Sequence, residues 1–254
     1  MLFAVDVGNT QSVLGLFDET SLVGHWRIST NASLTGDELR AKVSGLLALD
    51  GFSWGDVSHV IVASVVPRLT AAWEEVAQTG CACDMLVVGP GLKTGMPIRY
   101  DNPHEVGADR IVNGVAAFER LGGPVIIVDF GTATTIDVIS EDGAYMGGAI
   151  APGVETSAEA LFSKAARLSK VDLEPPARAI GTNTRASVQA GLMLGEAAMV
   201  DGLVRRVWSE LGVETPVIGT GGLAERMGPL CETIGHIDLD LTLEGLRIIY
   251  DRNR

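Results

Sequence analysis

One short pattern occurs twice in this chain, and its two copies stand about half the chain length apart. VDVGNTQSVLGLFDE at 5–19 and VDFGTATTIDVISEDG at 128–143 both give an apolar run, Asp-x-Gly, a cluster of small polar residues and a second apolar run. Two apolar runs joined by a short Gly-containing turn are typical of a β-hairpin. The repeat therefore predicts two similar domains, residues 1–122 and residues 123–254, each beginning with the same hairpin.

The first half carries helix and strand signals in alternation. TGDE at 35–38 is a capping box, followed by apolar residues at helical spacing and by Gly51 as a stop. HVIVASVVP at 59–67 is a continuous apolar run, as in a strand covered on both faces. Residues 109–121 predict a helix that ends at Gly122.

The second half follows the same order of elements. TSAE at 156–159 predicts a second capping box and a helix to about Leu168, and residues 185–211 predict a longer helix. VIGTGG at 217–222 reads as the last strand and turn. Three glycines interrupt the long helix, at a cost of up to about 1 kcal/mol each, which indicates close helix contact: Gly191, Gly195 and Gly202. Hairpins followed by helices, twice over, predict an α/β sandwich built by duplication.

Charge and hydropathy exclude several classes of function. The chain has 32 acidic and 19 basic residues, and no Lys/Arg cluster offsets the formal charge of −13, so we expect no nucleic-acid partner. The first residues lack a basic segment, and no apolar run reaches the roughly 18 residues of a membrane span. We therefore expect no signal peptide, no membrane insertion and a cytoplasmic location.

The cysteines agree with that location. Cys81, Cys83 and Cys231 are an odd number, and we expect free thiols, as is normal in the cytoplasm. Cys81 and Cys83 could be half of a zinc site, but a structural zinc needs four ligands and no second pair follows at ligand spacing. The four histidines show no metal spacing either.

The polar turns themselves suggest a ligand. Glycine lets a backbone approach a bound group closely, and the N–H groups of Gly8, Asn9 and Thr10 can converge on an anion. Asp6 stands where a hydrated cation that bridges phosphate oxygens needs a carboxylate. The first turn alone fits an ordinary hairpin equally well. The second copy, with its threonines behind an Asp, favours a pair of turns that hold a polyphosphate from both sides.

Eight motifs in order resemble one family. DVGNT, GADR, DFGTATT and GGAIAPG resemble type III pantothenate kinase, a branch of the actin, sugar-kinase and heat-shock ATPase superfamily. ASVVP at 63–67, IGTNTRASVQAG at 180–191, TGG at 220–222 and the closing DLTLEGLRIIYDRN extend the resemblance over nearly the whole chain. It implies an α/β fold of duplicated actin-like (ribonuclease H-like) ATPase domains.

The resemblance also implies a reaction. Members of this family transfer the γ-phosphoryl group of ATP, which brings Mg²⁺, to the hydroxyl of pantothenate, giving 4′-phosphopantothenate in the first step of coenzyme A biosynthesis. They depend on a monovalent cation, K⁺ or NH₄⁺, and are homodimers in which the neighbouring subunit completes the pantothenate site. The long helix with its three glycines is our candidate for the dimer contact.

For the nucleotide and the cation, the resemblance assigns residues of both turns. Asp129 matches the position that binds the monovalent cation, although a buried Asp satisfied by the N–H groups of its own turn explains it as well. The nucleotide-binding residues implied are Asp6, Val7, Gly8, Asn9, Thr10, Gln11, Ser12, Val13 and Thr132.

For catalysis and pantothenate, the resemblance assigns the GADR motif and two further residues. Asp109 matches the base that accepts the alcohol proton, whereas the helix pattern alone favours a helix N-cap. The substrate-binding residues implied are Tyr100, Gly107, Ala108, Asp109, Arg110 and Thr184. Each has an ordinary alternative: a tyrosine at a strand end for Tyr100, a solvated arginine for Arg110 and a helix N-cap for Thr184.

Two other functions stay open from the sequence. One is a non-catalytic accessory protein of transcriptional regulation that shares DxGNT-type motifs, although complete GADR and DFGTATT motifs argue for catalysis. The other is a different enzyme of the superfamily, a sugar kinase or a polyphosphate hydrolase, which lacks the GADR and TNTRAS motifs. Lys164 and Arg167 lie on one helical face and are expected to be solvated.

Overall fold

A computed structural model describes residues 1–165, 168 and 170–254. The chain forms two compact units. The first comprises residues 1–96, 101–116 and 241–254, and the second comprises residues 97–100 and 117–240. Arg167, which we expected to be solvated, lies outside the described residues. Within the described part of the chain, no helix is both long and apolar enough to cross a membrane.

The elements of the first half are, in order, β1 (Leu2–Val7), β2 (Gln11–Asp18), β3 (Ser21–Ser29), α1 (Gly36–Leu49), a 3₁₀ turn (Trp54–Asp56), β4 (His59–Ser64), α2 (Pro67–Gly80), β5 (Met85–Val87), a 3₁₀ turn (Pro103–Glu105) and α3 (Ala108–Leu121). Those of the second half are β6 (Val125–Phe130), β7 (Ala133–Ile139), β8 (Tyr145–Pro152), α4 (Val154–Lys164), α5 (Thr184–Gln189), a π-helical turn (Ala190–Leu194), α6 (Gly195–Leu211), β9 (Val217–Thr220), α7 (Ala224–Met227), a 3₁₀ turn (Gly228–Leu230), β10 (His236–Ile237) and α8 (Leu241–Asp251).

The two sheets have the same topology. In the first unit the strand order is β3-β2-β1-β4-β5, with β1 antiparallel to β2 and parallel to β4. In the second unit the order is β10-β9-β6-β7-β8, with β6 antiparallel to β7 and parallel to β9. Each sheet is thus a hairpin meander extended by parallel crossover strands. The predicted duplication of an α/β domain is confirmed.

Buried aliphatic side chains form the core of each unit. In the first unit, Phe3 and Val5 of β1 pack with Trp73 of α2 and Leu47 of α1, and all four are at most 1% exposed. In the second unit, Ile126 and Val128 of β6 pack with residues of α6. Because β1 and β6 are central strands covered on both faces, they read as nearly continuous apolar runs.

Several local predictions are confirmed. The hydroxyl of Thr35 accepts a bond from the N–H of Glu38, and the Glu38 carboxylate accepts one from the N–H of Thr35 at 3.0 Å, so the predicted capping box opens α1. The strand predicted at 59–67 ends at Ser64, because Pro67 begins α2. The helix predicted at 109–121 is α3.

The prediction of a second capping box at 156–159 is wrong. Helix α4 begins three residues earlier than predicted, at Val154 with Gly153 as its N-cap, and ends at Lys164 instead of near Leu168. The hydroxyl of Thr156 donates to the carbonyl oxygen of Thr132 at 2.6 Å and is therefore engaged in a tertiary contact. A Thr-x-x-Glu pattern does not show that its hydroxyl has another acceptor.

The long helix is present, but the expected packing at its glycines is not. α5, the π-helical turn and α6 run without a break from Thr184 to Leu211. A Cβ built on Gly191, Gly195 or Gly202 would meet nothing within 4 Å. Close contact of these glycines within the described chain is therefore a wrong interpretation.

The two compact units differ in their boundaries from the predicted domains, residues 1–122 and 123–254. The boundary falls inside α3, after residue 116, and α8 belongs to the first unit. Leu241, Leu246 and Ile249 of α8 are fully buried, and the helix packs against β1, β2 and β4. The apolar face of the last helix thus completes the core that the first residues begin.

The cysteines also differ from expectation. Cys81 and Cys83, at the end of α2, form a disulfide with their Cα atoms 5.3 Å apart, a separation within the range for such bonds. The expectation of free thiols is confirmed for Cys231 and wrong for the other two.

The capping box of α1 generates a test of stability. We expect Thr35→Ala to lower the free energy of unfolding by about 1 kcal/mol, because the N–H of Glu38 loses its acceptor. Thr79→Ala, at an exposed position near the end of α2, is the matched control and should change that free energy by less than about 0.5 kcal/mol. Urea unfolding measures both, and equal effects of the two substitutions would contradict the capping role.

Candidate active site

The first turn exposes main chain between two buried strands. β1 and β2 are paired up to Val7 and Ser12, and the N–H of Gly8 donates to the carbonyl oxygen of Gln11 at 3.1 Å. Asn9, Thr10 and Gln11 are exposed at the tip. The N–H of Thr30, at the end of β3, donates to the carbonyl oxygen of Thr10 at 2.9 Å and fixes the tip.

Not every residue of the first turn and its flanking strands has a side chain that is exposed to solvent. Val7 is fully buried, and Ser12 is 2% exposed with its hydroxyl 2.9 Å from that of Thr30. Both can therefore meet a ligand through the main chain alone. Thr30 was missed by sequence reasoning, because its contact depends on β3 returning beside β2. Asp6 is half-buried at the carboxyl end of β1, opposite Ala63 of β4.

Hydrogen bonds from neighbouring segments fix the backbone of the second turn. The N–H of Gly131 donates to the carbonyl oxygen of Ala133 at 3.0 Å. The carbonyl oxygen of Thr132 accepts from the N–H of Gly153 at 3.1 Å and from the hydroxyl of Thr156 at 2.6 Å. The GGAIAPG motif and the start of α4 thus fix the backbone of Thr132.

The threonines of this turn differ in their surroundings. The hydroxyl of Thr134, which is buried, donates to the buried Glu196, and that of Thr135 donates to Asp137 at 3.0 Å. Thr132 is exposed. Of the three hydroxyls, that of Thr132 is therefore the one placed to meet a ligand from solvent.

Asp129 is the last residue but one of β6 and lies beside a glycine that follows the neighbouring strand β9. It is half-buried and lies opposite Thr220 of β9 in the parallel pairing. Gly221 follows with φ +95, and a Cβ there would overlap Oδ1 of Asp129 and lie 2.7 Å from N and O of Phe130. The TGG motif therefore leaves room for the Asp129 carboxylate, a role that sequence reasoning missed although the motif was noted.

Asp109 is the second residue of α3, not its N-cap. Its Oδ1 accepts a bond from the N–H of Arg110 at 2.9 Å, and a Cβ on Gly107 would overlap that oxygen. Burial raises the pKa of Asp109 above its ordinary value, while the N–H and the charge of Arg110 act in the opposite direction. Arg110 is 8% exposed, so the alternative of a solvated arginine is wrong.

Tyr100 and Thr184 lie in the second unit. Tyr100 is 38% exposed and follows a bridge between Ile98 and Tyr145, so it does end a strand-like segment. Thr184 is the first residue of α5, and its N-cap is Asn183, whose side chain accepts from the N–H of Ala186 at 2.9 Å. The cap alternative for Thr184 is therefore wrong.

Thr184 lines a cavity of about 720 Å³. Asn183 and Ser187 give the cavity polar groups, and Leu161 and Leu192 give it apolar walls. An apolar cavity with a few polar groups is typical of a small-molecule site.

The predicted site residues are divided between the two units. The first unit carries Asp6–Val13 and the GADR residues, and the second carries Tyr100, Asp129, Thr132 and Thr184. In the described residues, no group of three or more His, Cys, Asp or Glu could hold a metal ion.

Comparison with known proteins identifies the family. The family model described as type III pantothenate kinase matches residues 2–206. A type III pantothenate kinase from Moorella thermoacetica is 51% identical over 253 residues, which cover 100% of both chains. This chain belongs to the type III pantothenate kinase family.

Solved structures confirm the actin-like fold of this family member. A protein described as a Baf family transcriptional activator from Campylobacter jejuni is 17% identical with a TM-score of 0.59, over 99% of this chain and 98% of that one. An inorganic polyphosphate/ATP-glucomannokinase from Arthrobacter is 16% identical with a TM-score of 0.52, over 100% and 99%. At these identities the likeness shows the fold alone, so neither one revives the regulatory or the sugar-kinase alternative.

The room beside Asp129 can be tested through Gly221. We expect Gly221→Ala to destabilise the kinase more than Gly212→Ala, which has φ +72 and nothing within 4 Å. The control carries the cost of the left-handed backbone, about 1 to 2 kcal/mol. Overlap with Asp129 and Phe130 should add about 1 to 3 kcal/mol. Urea unfolding of both variants measures the difference, and equal losses would mean that the Asp129 carboxylate does not need this space.

Proposed function

We propose that this chain transfers the γ-phosphoryl group of ATP, bound with Mg²⁺, to the hydroxyl of pantothenate, giving 4′-phosphopantothenate in the first step of coenzyme A biosynthesis. The observation that carries the proposal is the half-buried carboxyl of Asp109, whose pKa is raised by desolvation, in a chain that belongs to this family over its full length. Phosphoryl transfer asks the protein mainly for positioning, charge stabilisation and a group that receives the hydroxyl proton.

Asp109 is the proposed general base. A raised pKa makes its carboxylate a stronger proton acceptor than an ordinary aspartate, and catalytic groups work best with a pKa near the working pH. The N–H of Arg110 holds one carboxylate oxygen, which orients the side chain. The adjacent Gly107 leaves the space that this orientation needs.

The nucleotide is proposed to bind at the two turns. Main-chain groups from Asp6 to Val13 and the exposed side chains of Asn9, Thr10 and Gln11 would meet its phosphates, with Thr132 as a further contact. Asp6 would hold the waters of the Mg²⁺ that arrives with ATP. The exposure of the tip and the burial of both strands support this assignment.

Pantothenate is proposed to contact Tyr100, Gly107, Ala108, Asp109, Arg110 and Thr184. Arg110 is buried, and a guanidinium fork suits a carboxylate such as that of pantothenate. The cavity beside Thr184 has the size and mixed lining of a small-molecule site.

Asp129 is the proposed ligand of a monovalent cation, K⁺ or NH₄⁺. Its half-buried carboxylate supplies an oxygen ligand, and Gly221 leaves space at that oxygen. When bound, the cation would add positive charge near the phosphates. No step of proton transfer depends on it.

The kinase is proposed to be a cytoplasmic homodimer. The open space over Gly191 and Gly195, both exposed, supports a contact between copies at the long helix. Small residues allow helices to approach closely, which would offset the cost of glycine inside a helix.

Replacement of the base should separate catalysis from stability. We expect Asp109→Asn to lower kcat by roughly 10²-fold to 10⁴-fold. Because the folded state raises the pKa of Asp109, its ionised form destabilises the fold above the unfolded pKa, so the variant should keep or raise the Tm at pH 7.5. Asp84→Asn, at an exposed position outside the motifs, is the control. Near wild-type turnover in Asp109→Asn would remove the base role.

The pH profile gives an independent test of the same group. Asp109 must be ionised to accept a proton, so kcat/KM should fall as the pH drops through its raised pKa. The acidic limb should therefore lie above the range of an ordinary aspartate. A limb at the ordinary position would mean that burial does not tune this carboxyl.

The cation assignment is tested by exchanging salts. Pantothenate phosphorylation should require KCl and should fail with NaCl at equal ionic strength, and Asp129→Ala should abolish the activation by K⁺. Measurement of phosphopantothenate in both salts decides this. Unchanged potassium dependence in the variant would place the cation elsewhere, and no product in either salt from folded protein would end the kinase proposal.

A further inference from the structure

The segment that carries Tyr100 is attached to a second tyrosine. The N–H of Tyr145, the first residue of β8, donates to the carbonyl oxygen of Pro97 at 2.8 Å, and its carbonyl oxygen accepts from the N–H of Arg99 at 2.8 Å. Tyr145 is fully buried. Residues 97–100 are thus fixed to the second unit through the main chain of one residue.

The two tyrosine rings also touch. Their centroids are 6.2 Å apart with the rings tilted by 58°, which is within the range of favourable aromatic pairs. The Tyr100 ring lies in addition against Gly147, where a Cβ would be 3.3 Å from Cε2. Tyr100 is thus supported from within the unit while more than a third of it stays exposed.

The Tyr145 hydroxyl leads to the second turn. It donates to Oδ1 of Asp137 at 2.8 Å, and Oδ2 of Asp137 accepts from the hydroxyl of Thr135 at 3.0 Å. Asp137 is fully buried. Thr135 pairs with Asp129 across β6 and β7. A buried carboxylate needs such donors, and bonds to it are stronger than those between neutral groups.

We propose that Tyr145 and Asp137 are positioning residues: they fix the ring of Tyr100 and tie it to the turn that carries Asp129 and Thr132. The proposal rests on the proposed function in one respect, that Tyr100 contacts pantothenate. Without the bond to Asp137 the Tyr145 ring can tilt, and Tyr100 loses the surface that sets its orientation.

Kinetics test the effect on substrate. Tyr145→Phe keeps the ring and removes the hydroxyl, and we expect the KM for pantothenate to rise on the order of tenfold while the KM for ATP stays within about twofold. Tyr250→Phe, in α8 of the first unit, is the matched control and should leave both constants unchanged. Asp137→Asn, which retains an acceptor oxygen, should raise the KM for pantothenate less than Asp137→Ala. A KM for pantothenate within twofold of wild type in Tyr145→Phe overturns the proposal.

A spectroscopic test does not depend on turnover. The chain has three tyrosines, so labelling with 3-fluorotyrosine gives three ¹⁹F resonances that Tyr→Phe variants assign. Asp137→Asn should shift the resonances of Tyr145 and Tyr100 and leave that of Tyr250 in place. An unchanged Tyr100 resonance overturns the coupling. If wild-type protein made no phosphopantothenate, the kinase proposal would fail while this measurement still decided whether Asp137 positions Tyr100.

Discussion

The central strand of each sheet carries an aspartate at its last position but one, and much of the candidate site depends on that constraint. β1 and β6 are each flanked by an antiparallel partner on one side and a parallel partner on the other. Their carboxyl ends therefore meet the ends of β4 and β9, where ligands of open α/β sheets bind. Asp6 and Asp129 are half-buried near these ends, and each follows a run of apolar strand residues. The repeated Asp-x-Gly pattern in the sequence reflects this position of the two aspartates.

Sequence alone was sufficient where the deciding interactions are local. The hairpins follow from short polar turns between apolar runs, and the start of α1 follows from two side chains three residues apart. Thr156 shows the limit, because its hydroxyl bonds to Thr132, 24 residues away, and the helix begins at Val154, with Gly153 as its N-cap, without using it. The local sequence likewise does not predict that α8 packs in the first unit, since the pattern of an amphipathic helix does not specify which core it covers.

For the candidate site, the motifs name candidate residues but do not give the direction of their side chains. Ser12 belongs to a conspicuous polar cluster, yet its hydroxyl is bound to Thr30 inside the unit. Thr134 looks like Thr132 in the sequence, but Thr132 lies in the exposed turn before β7, whereas Thr134 is a buried residue of the strand and donates to Glu196. Asp137 did carry a signal, a charged residue within the apolar run after GTATT, but its partner Tyr145 is on the next strand. Pairing of that kind requires the register of β7 and β8.

The carboxyls of this protein illustrate two uses of burial. Asp137 is fully buried and receives hydroxyl donors on both oxygens, which keeps two strands in a fixed relation. Asp109 is half-buried, and the N–H of Arg110 opposes but does not cancel the upward shift of its pKa by desolvation. The ionised form of Asp109 is therefore less favourable in the folded state than in the unfolded state. The same difference in free energy makes this carboxylate a stronger proton acceptor than an ordinary aspartate. A well-satisfied carboxylate at this position would stabilise the fold more and would be a weaker base.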